Sequence, residues 1–406
     1  MARKRLLVVG AGMAAVKFVD ELTARAPHAY DITVLGAEKH RAYNRVLLSP
    51  LLAGEMNEDD LALKPNGFFA ERGIELRLGA RVARIDRAAK TVELGNGEIL
   101  AYDGLVLATG SQAIRLPKPG MDLEGVVTFR DLDDARALAE AARPGRSVAV
   151  IGGGLLGLEA AFGLARKGAD VTLVHLMDRL MERQLDHRAA ALLREAIEAR
   201  GVRVLLEADT AQVRGDTRAE GLELADGRIV PADLVVCAVG VRPETSLARA
   251  AGLACGRGIL VDDNLTTSDE SIFALGECAE HRGVAYGLVE PAYHQAQVLA
   301  RRLAGDGHAA YAGSLLATNL KVSGIGLFSA GDFEGRAGAH VLTYADESAG
   351  IYRKLVIEND RLTGALLYGD TADALFYLDL IRNGTDIAGS RDTLVFGPLP
   401  ELAEAA

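Results

Sequence analysis

Two short glycine-rich segments constrain this chain more than anything else in it. The first is Gly10-Ala11-Gly12-Met13-Ala14-Ala15, a GxGxxA; the second is Gly152-Gly153-Gly154-Leu155-Leu156-Gly157, a GxGxxG. Each follows a short apolar run, "RLLVVG" and "RSVAVIG", and each opens a stretch with apolar residues at helical spacing. In such a unit the first glycine permits a tight turn and the second lets backbone approach a pyrophosphate. The small last residue lets the helix pack on the strand. The helix then presents unpaired N–H groups to the phosphates. One copy would be weak evidence. Two copies about 140 residues apart, each between strand and helix, predict two dinucleotide-binding units.

A second strand follows each loop and helix, "DITVLG" in the first unit and "ADVTLV" in the second, so each is a βαβ unit. The next expected feature is an acid roughly 20 residues beyond the loop, which accepts hydrogen bonds from ribose hydroxyls. In the first unit the strand ends near Glu38, which suits that role. In the second, His175 stands where the acid is expected. An imidazole cannot accept two hydroxyl protons as a carboxylate can, and it tolerates a 2′-phosphate better. Arg179, four residues on, could assist, so the choice between NADH and NADPH stays open.

After each βαβ unit come short β-rich runs broken by glycines, over 74–107 and 201–240, with "GNGE" a clear turn signal in the first. The repeated pattern reads as an internal duplication of one module. From about 315 the pattern changes to strands joined by turns, with one amphipathic helix in "TADALFYLDLIRNGT". The expected fold is α/β: two Rossmann-like dinucleotide-binding domains, one inserted in the other, plus a small α+β C-terminal domain. The boundaries fall at 1–115 with 246–314 for one domain, 116–245 for the inserted one, and 315–406 for the last.

Composition narrows the class. A net charge of −11 and a pI near 5.3 oppose nucleic-acid binding and docking on anionic lipid. No apolar run reaches the length of about 18 residues that a membrane-spanning helix needs. The N-terminal "MARKRLLVVGAGMAAVKFVDEL" has basic residues before an apolar run, but Lys17 and Asp20 interrupt it and its glycines serve the loop, so it reads as mature fold. Cys237, Cys255 and Cys278 lie 18 and 23 residues apart, matching no CxxC or zinc spacing. The odd count argues for a reducing, cytoplasmic setting. The eight histidines are scattered without HExxH, so no metal site is expected. The sequence does not fix an oligomeric state, and a homodimer is compatible with it.

Four further segments carry a family resemblance. "LVLATGS" (105–111), "VVCAVGVRPET" (235–245) and "TTSDESIFALGECAE" (266–280), with the two loops and in this order, resemble the pyridine nucleotide–disulfide oxidoreductase superfamily of flavoproteins. The fourth, "RAYNRVLLSPLLAGE", lacks the C-x-x-x-x-C pair of the disulfide reductases and the single Cys of the peroxidase and oxidase branch. It is similar instead to the Y-[DN]-R-x-x-L-S of ferredoxin- and rubredoxin-reductase-type proteins. The likeness is narrowest to the flavoprotein half of the NAD(P)H nitrite reductase large subunit. Pro50 departs from relatives that place a Lys there.

The resemblance implies FAD in the first unit and NAD(P)H in the second. It assigns FAD to Gly10, Gly12, Met13, Ala14, Ala15, Glu38, Arg45, Ser49, Val82, Ala108, Thr109, Gly110, Gly276, Glu277 and Pro291. Arg45 would meet the pyrophosphate, and Glu277 the ribityl chain. It assigns NAD(P)H to Gly152, Gly154, Leu155, Leu156, Gly157, His175, Arg179, Val239 and Gly240. Glu159, beside the nicotinamide, and Glu290, beside the flavin ring, would be the catalytic pair. Tyr43, Tyr293 and His294 read either as flavin shields or as packing.

Hydride would pass from NAD(P)H to FAD, and electrons onward to an iron–sulfur, rubredoxin-like or reductase-subunit acceptor, as in assimilatory nitrate or nitrite reduction. No cysteine fits a cluster spacing, so the chain reads as an electron-input module on its own polypeptide. Two rivals remain open: an oxidase, peroxidase or disulfide reductase recruiting a thiol such as Cys278, and a redox-dependent flavin signalling protein.

Overall fold

A computed structural model describes residues 3–322 and 324–398, without the side chains of Lys321 and Val322; most of the tail "FGPLPELAEAA" lies outside the described residues. The chain divides into two compact units. One holds the chain up to Ile114, Arg130–Ala135 and Val241–Ser314; the other holds Arg115–Phe129, Arg136–Gly240 and the chain from Leu315 onward.

The first unit is built on a five-stranded parallel sheet. Its order is Ile272–Ala274, Gly104–Leu107, Lys4–Val9, Tyr30–Leu35, Glu75–Arg77. The run Leu6-Leu7-Val8-Val9 is buried throughout, as a central parallel strand covered on both faces must be. The helix Met13–Arg25 buries Ala15, Val16, Phe18, Val19 and Leu22, a stripe at helical spacing. Truncating fully buried Phe18 to Ala would cost about 3–5 kcal/mol through the cavity it leaves. The helix Val289–Leu303 buries a matching stripe that includes Ala292, Ala296 and Leu299. The antiparallel strands Val82–Asp86, Thr91–Leu94 and Ile99–Ala101 form the meander, with Gly97 of the "GNGE" turn at φ +87°.

The second unit repeats this plan. Its parallel sheet runs Val202–Leu205, Asp170–Val174, Ser147–Ile151, Leu234–Cys237, Val126–Thr128, and its meander is Thr210–Arg214, Gly221–Leu224 and Ile229–Pro231. The same unit includes an antiparallel sheet ordered Ala317–Val322, Ile325–Gly331, Arg361–Gly369, Ile351–Glu358, His340–Asp346. The helix Ala374–Asn383 packs on it and ends at left-handed Gly384.

Two features of this division differ from the sequence expectation. The C-terminal sheet has its own core but belongs to the compact unit of the second loop. Asp186 explains part of this. It caps the helix His187–Glu198 by accepting the Ala189 N–H (3.0 Å), accepts the Tyr352 hydroxyl (2.8 Å) and pairs with Lys354 (3.5 Å). Arg188 pairs with Glu347 as well. The second difference is that Arg130–Ala135, expected inside the inserted domain, belongs to the first unit. Side chains of the loop after Tyr30–Leu35 hold it there.

Candidate functional site

In the first unit the glycine loop is closed from one side and open on the other. Gly10 sits at φ +114°, and a methyl added there would lie 2.1 Å from the Ala108 carbonyl oxygen. A methyl added at Gly12 would meet nothing within 4 Å, so backbone faces open space where a phosphate must approach. Gly12 caps the helix Met13–Arg25 without a side-chain bond, and no acid occupies the first turn, Met13–Ala14–Ala15 included. A methyl added at Gly276, which sits at φ +79°, would lie 3.0 Å from the Ala14 side chain, and the Gly276 N–H donates to buried Gln295 (2.7 Å).

Two acids and two arginines of the same unit form a network. Glu38 accepts the Tyr43 hydroxyl (2.8 Å) and pairs with Arg45. Arg45 lies 5.1 Å over the Tyr43 ring and donates to the Arg130 carbonyl (3.0 Å). The Tyr43 hydroxyl also accepts the Leu132 N–H (3.1 Å), the first donor of a helix. These contacts hold Arg130–Ala135 in the unit. Arg130 in turn donates to Ser111 (2.8 Å) and pairs with Glu277, which accepts from Ser111 as well (2.8 Å).

Electrostatics fit this reading. Burial raises the Tyr43 pKa, with Arg45 opposing and Glu38 adding, so the hydroxyl stays protonated. Burial works against the Arg45 charge, but Tyr43 and Glu38 outweigh it and raise its pKa. Arg130 Nε is buried without a hydrogen-bond partner. Two guanidinium groups suit a diphosphate, and two carboxylates suit polyol hydroxyls. With the open face at Gly12 and the orphaned Nε, these residues fit an FAD.

The other residues assigned to FAD lie in the same unit. Thr109 donates to the Glu244 carbonyl (2.8 Å), and Gly110, at φ +69°, accepts the Glu244 N–H (2.9 Å). Beside them Ser111–Ala113 pairs antiparallel with Val241–Pro243. Ser49 is buried in the helix Leu48–Leu52, and Val82 is half-buried at a bulge of the meander. Pro291 is buried and Glu290 exposed in the first turn of the helix Val289–Leu303. Cys278 is fully buried, donates to the Leu107 and Leu275 carbonyls (3.4 and 3.3 Å), and burial raises its pKa. It is a packed thiol with no route to nucleophilic use.

The second loop repeats the backbone logic. Gly152 is at φ +114°, with a methyl there 2.4 Å from the Ala238 carbonyl; Gly154 faces open space; a methyl at Gly157 would lie 1.9 Å from the Gly152 carbonyl. Leu155, Leu156 and Glu159 are half-buried in the helix Leu155–Arg166. Val239 and Gly240, the latter at φ +109°, follow the strand Leu234–Cys237.

Here the strand-end residues depart from expectation. His175 is not presented to solvent: it is 8% exposed, and its Nδ1 accepts the Gly153 N–H (2.9 Å). Its ring fills the place of a Gly153 side chain, which would lie 2.7 Å from it. Arg179 is committed to Glu334 (2.8 Å), the Leu185 carbonyl (3.3 Å) and His187 (3.1 Å). The His175 ring is turned in beneath the loop, and Arg179 is paired within its own unit.

Sequence reasoning passed over Arg130, Gln295 and Glu182. The motif "TFRDLDDA" could have flagged Arg130, as an Arg ahead of a helix start rich in acids. Among the described residues no helix is long and apolar enough to cross a membrane.

Comparison with known proteins agrees with this geometry. The family described as pyridine nucleotide-disulphide oxidoreductase matches residues 4–297, and the rubredoxin NAD+ reductase C-terminal domain matches 317–385. The chain is 44% identical over 403 residues to a nitrite reductase [NAD(P)H] of Bacillus subtilis (strain 168), covering 99% of this chain and 50% of the relative. It is 40% identical over 405 residues to the assimilatory nitrate reductase electron transfer subunit of the same organism, covering 99% and 52%. It thus spans about half the length of these curated relatives. The crystal structure of the ferredoxin reductase for the CYP199A2 system from Rhodopseudomonas palustris superimposes with a TM-score of 0.89 at 29% identity, covering all of both chains. The chain belongs to the pyridine nucleotide-disulphide oxidoreductase family.

Proposed function

We propose that the chain takes hydride from NAD(P)H onto FAD and passes electrons to an iron–sulfur or rubredoxin-type acceptor or an adjoining reductase subunit. The setting we favour is the electron-transfer step of assimilatory nitrate or nitrite reduction, from the names of its relatives. In this reading the FAD-binding domain is 1–115 with 246–314 and the segment Arg130–Ala135, the NAD(P)H-binding domain the rest of 116–245, and the acceptor-facing domain 315–406.

One observation carries the proposal most: two arginines and two acids of the first loop's compact unit form one network, and no thiol in the chain is activated. Burial raises the pKa of Cys237, Cys255 and Cys278 alike. FAD, when bound, supplies the conversion between two-electron and one-electron transfer. The protein supplies binding and orientation. Arg45 and Arg130 neutralise the diphosphate, and their acids, released, accept ribose and ribityl hydroxyls. Gly152, Gly154 and Gly157 admit the second dinucleotide to a helix N-terminus. Glu159 holds the carboxamide, and Glu290 and Pro291 border the flavin ring.

An anaerobic titration with NADH, followed by flavin absorbance, tests this. Complete bleaching at one equivalent, then rapid reoxidation by a rubredoxin or small ferredoxin after thiol alkylation, is the expected result. A need for two equivalents, or loss of turnover on alkylation, would return the oxidase, peroxidase and disulfide-reductase readings. Full bleaching with no acceptor turnover would favour a flavin signalling protein.

A further inference from the structure

The second loop lacks an acid at the end of its strand, yet the fold brings one back from further along the chain. After Asp170–Val174 the chain turns at Met181, whose φ is +50° and which is fully buried. Its N–H donates to the Gly153 carbonyl (3.0 Å), so this segment lies on the glycine loop itself. The next residue is Glu182, half-buried, with Oε2 3.3 Å from His175 Nε2. Because His175 Nδ1 accepts the Gly153 N–H, the ring carries its proton on Nε2. That Nε2 is buried and makes no hydrogen bond, since Glu182 stands within range but out of line. A buried donor left unpaired next to a carboxylate marks a site completed by something else.

We infer that Glu182, oriented by His175, takes the place of the missing strand-end acid, holds the adenosine ribose 2′,3′-diol and selects NADH over NADPH. The inference rests on the proposal that the second loop binds the nicotinamide dinucleotide. The chemistry is that of a bidentate acceptor. An ionised carboxylate has about four acceptor positions, enough for two ribose hydroxyls and the His175 N–H. Seating the diol draws the carboxylate into line with Nε2 and satisfies the orphaned donor.

A 2′-phosphate would instead meet a carboxylate and a ring with no free cationic face. Arg179 gives its donors to Glu334 and to the Leu185 and Glu182 carbonyls. Arg183 extends into solvent with Nε 4.0 Å from Glu182 Oε1, so the acid screens the charge a phosphate would seek.

Titration calorimetry of the FAD-loaded protein with NAD+ and NADP+ tests this without turnover. NAD+ should bind about 30-fold more tightly than NADP+, as loss of the one charge-assisted hydrogen bond from the 2′-hydroxyl would give. E182Q should weaken NAD+ by about tenfold and strengthen NADP+, because Arg183 is then uncancelled. E182D, which keeps charge but shortens reach, should weaken NAD+ while still excluding NADP+, and covers the case in which E182Q fails to fold. Equal affinity of the native protein for the two dinucleotides, or an equal loss of both in E182Q, overturns the role of Glu182 alone. Binding of neither dinucleotide overturns the reading of the second loop and this inference with it.

Discussion

The two glycine loops share a backbone and differ in what stands over it. Gly10 and Gly152 both sit at φ +114°, each pressed against the carbonyl of the returning strand; Gly12 and Gly154 both face open space. These positions answer to the close approach of backbone to backbone or to phosphate, which nothing but glycine permits. Beyond them the units diverge. The first has Glu38 at its strand end, tied to Tyr43 and Arg45. The second has His175 tucked beneath its loop, which forces glycine at position 153 where the first unit has Ala11. Geometry shared by the loops is thus set by the chain's own sterics, while the strand-end residue is free to follow the ligand.

The largest test of the shared geometry is G10A against G152A. Each puts a methyl inside a carbonyl contact at a left-handed φ, and each should destabilise its unit by about 3 kcal/mol or more in chemical denaturation. A marked inequality would mean that one loop relaxes where the other cannot.

The substitution next in size sharpens the difference between the units. R130A removes a guanidinium and leaves Glu277 with the Ser111 hydroxyl but no counter-charge, so FAD affinity should fall by about 30- to 100-fold. R179A in the second unit should change NAD+ affinity by less than about threefold, since its donors already serve protein partners. Fluorescence titration of apoprotein with FAD, and calorimetry with NAD+, would read these.

The Gly153–His175 contact predicts a coupling of about 1 kcal/mol. G153A should be destabilising alone, through the ring 2.7 Å away, and milder in an H175A background. In the first unit A11G should show no such dependence on Glu38.

The smallest effect concerns how each returning strand is pinned. Asp103 accepts from Arg5 N (2.7 Å), while Asp233 accepts from Ser147 N at 3.3 Å. Hydrogen bonds to the Arg5 side chain and backbone depress the Asp103 pKa to about 2. The stabilisation is therefore complete above the ordinary carboxylate range near about 4 and fades as pH falls through about 2. D103N should flatten the acid end of the stability–pH curve slightly, and D233N should change it less.

Much of this arrangement was legible in the sequence because its signals are local. Glycine spacing, the apolar runs ending in Val9 and Ile151, and the helical stripe from Ala15 to Leu22 each declare themselves within a dozen residues. Arg130 and Glu182 did not. Arg130 reaches Glu277, 147 residues away, only because Tyr43 and Arg45 hold its segment in the first unit. Glu182 reaches the second loop through a non-periodic turn at Met181. The membership of Arg130–Ala135 and of the C-terminal sheet was hidden for the same reason: each depends on side-chain bonds across long sequence separations.

Asp186 has a consequence for cooperativity. One carboxylate serves as helix cap, as acceptor for Tyr352 and as counter-ion for Lys354. Loosening the C-terminal sheet would take Tyr352 and Lys354 away from that carboxylate and leave it to hold the helix His187–Glu198 without their support. Melting of that sheet and fraying of that helix are then coupled through one side chain. Amide exchange in Ala189 and in the strand Ile351–Glu358 should slow and quicken together, as members of one opening unit rather than two.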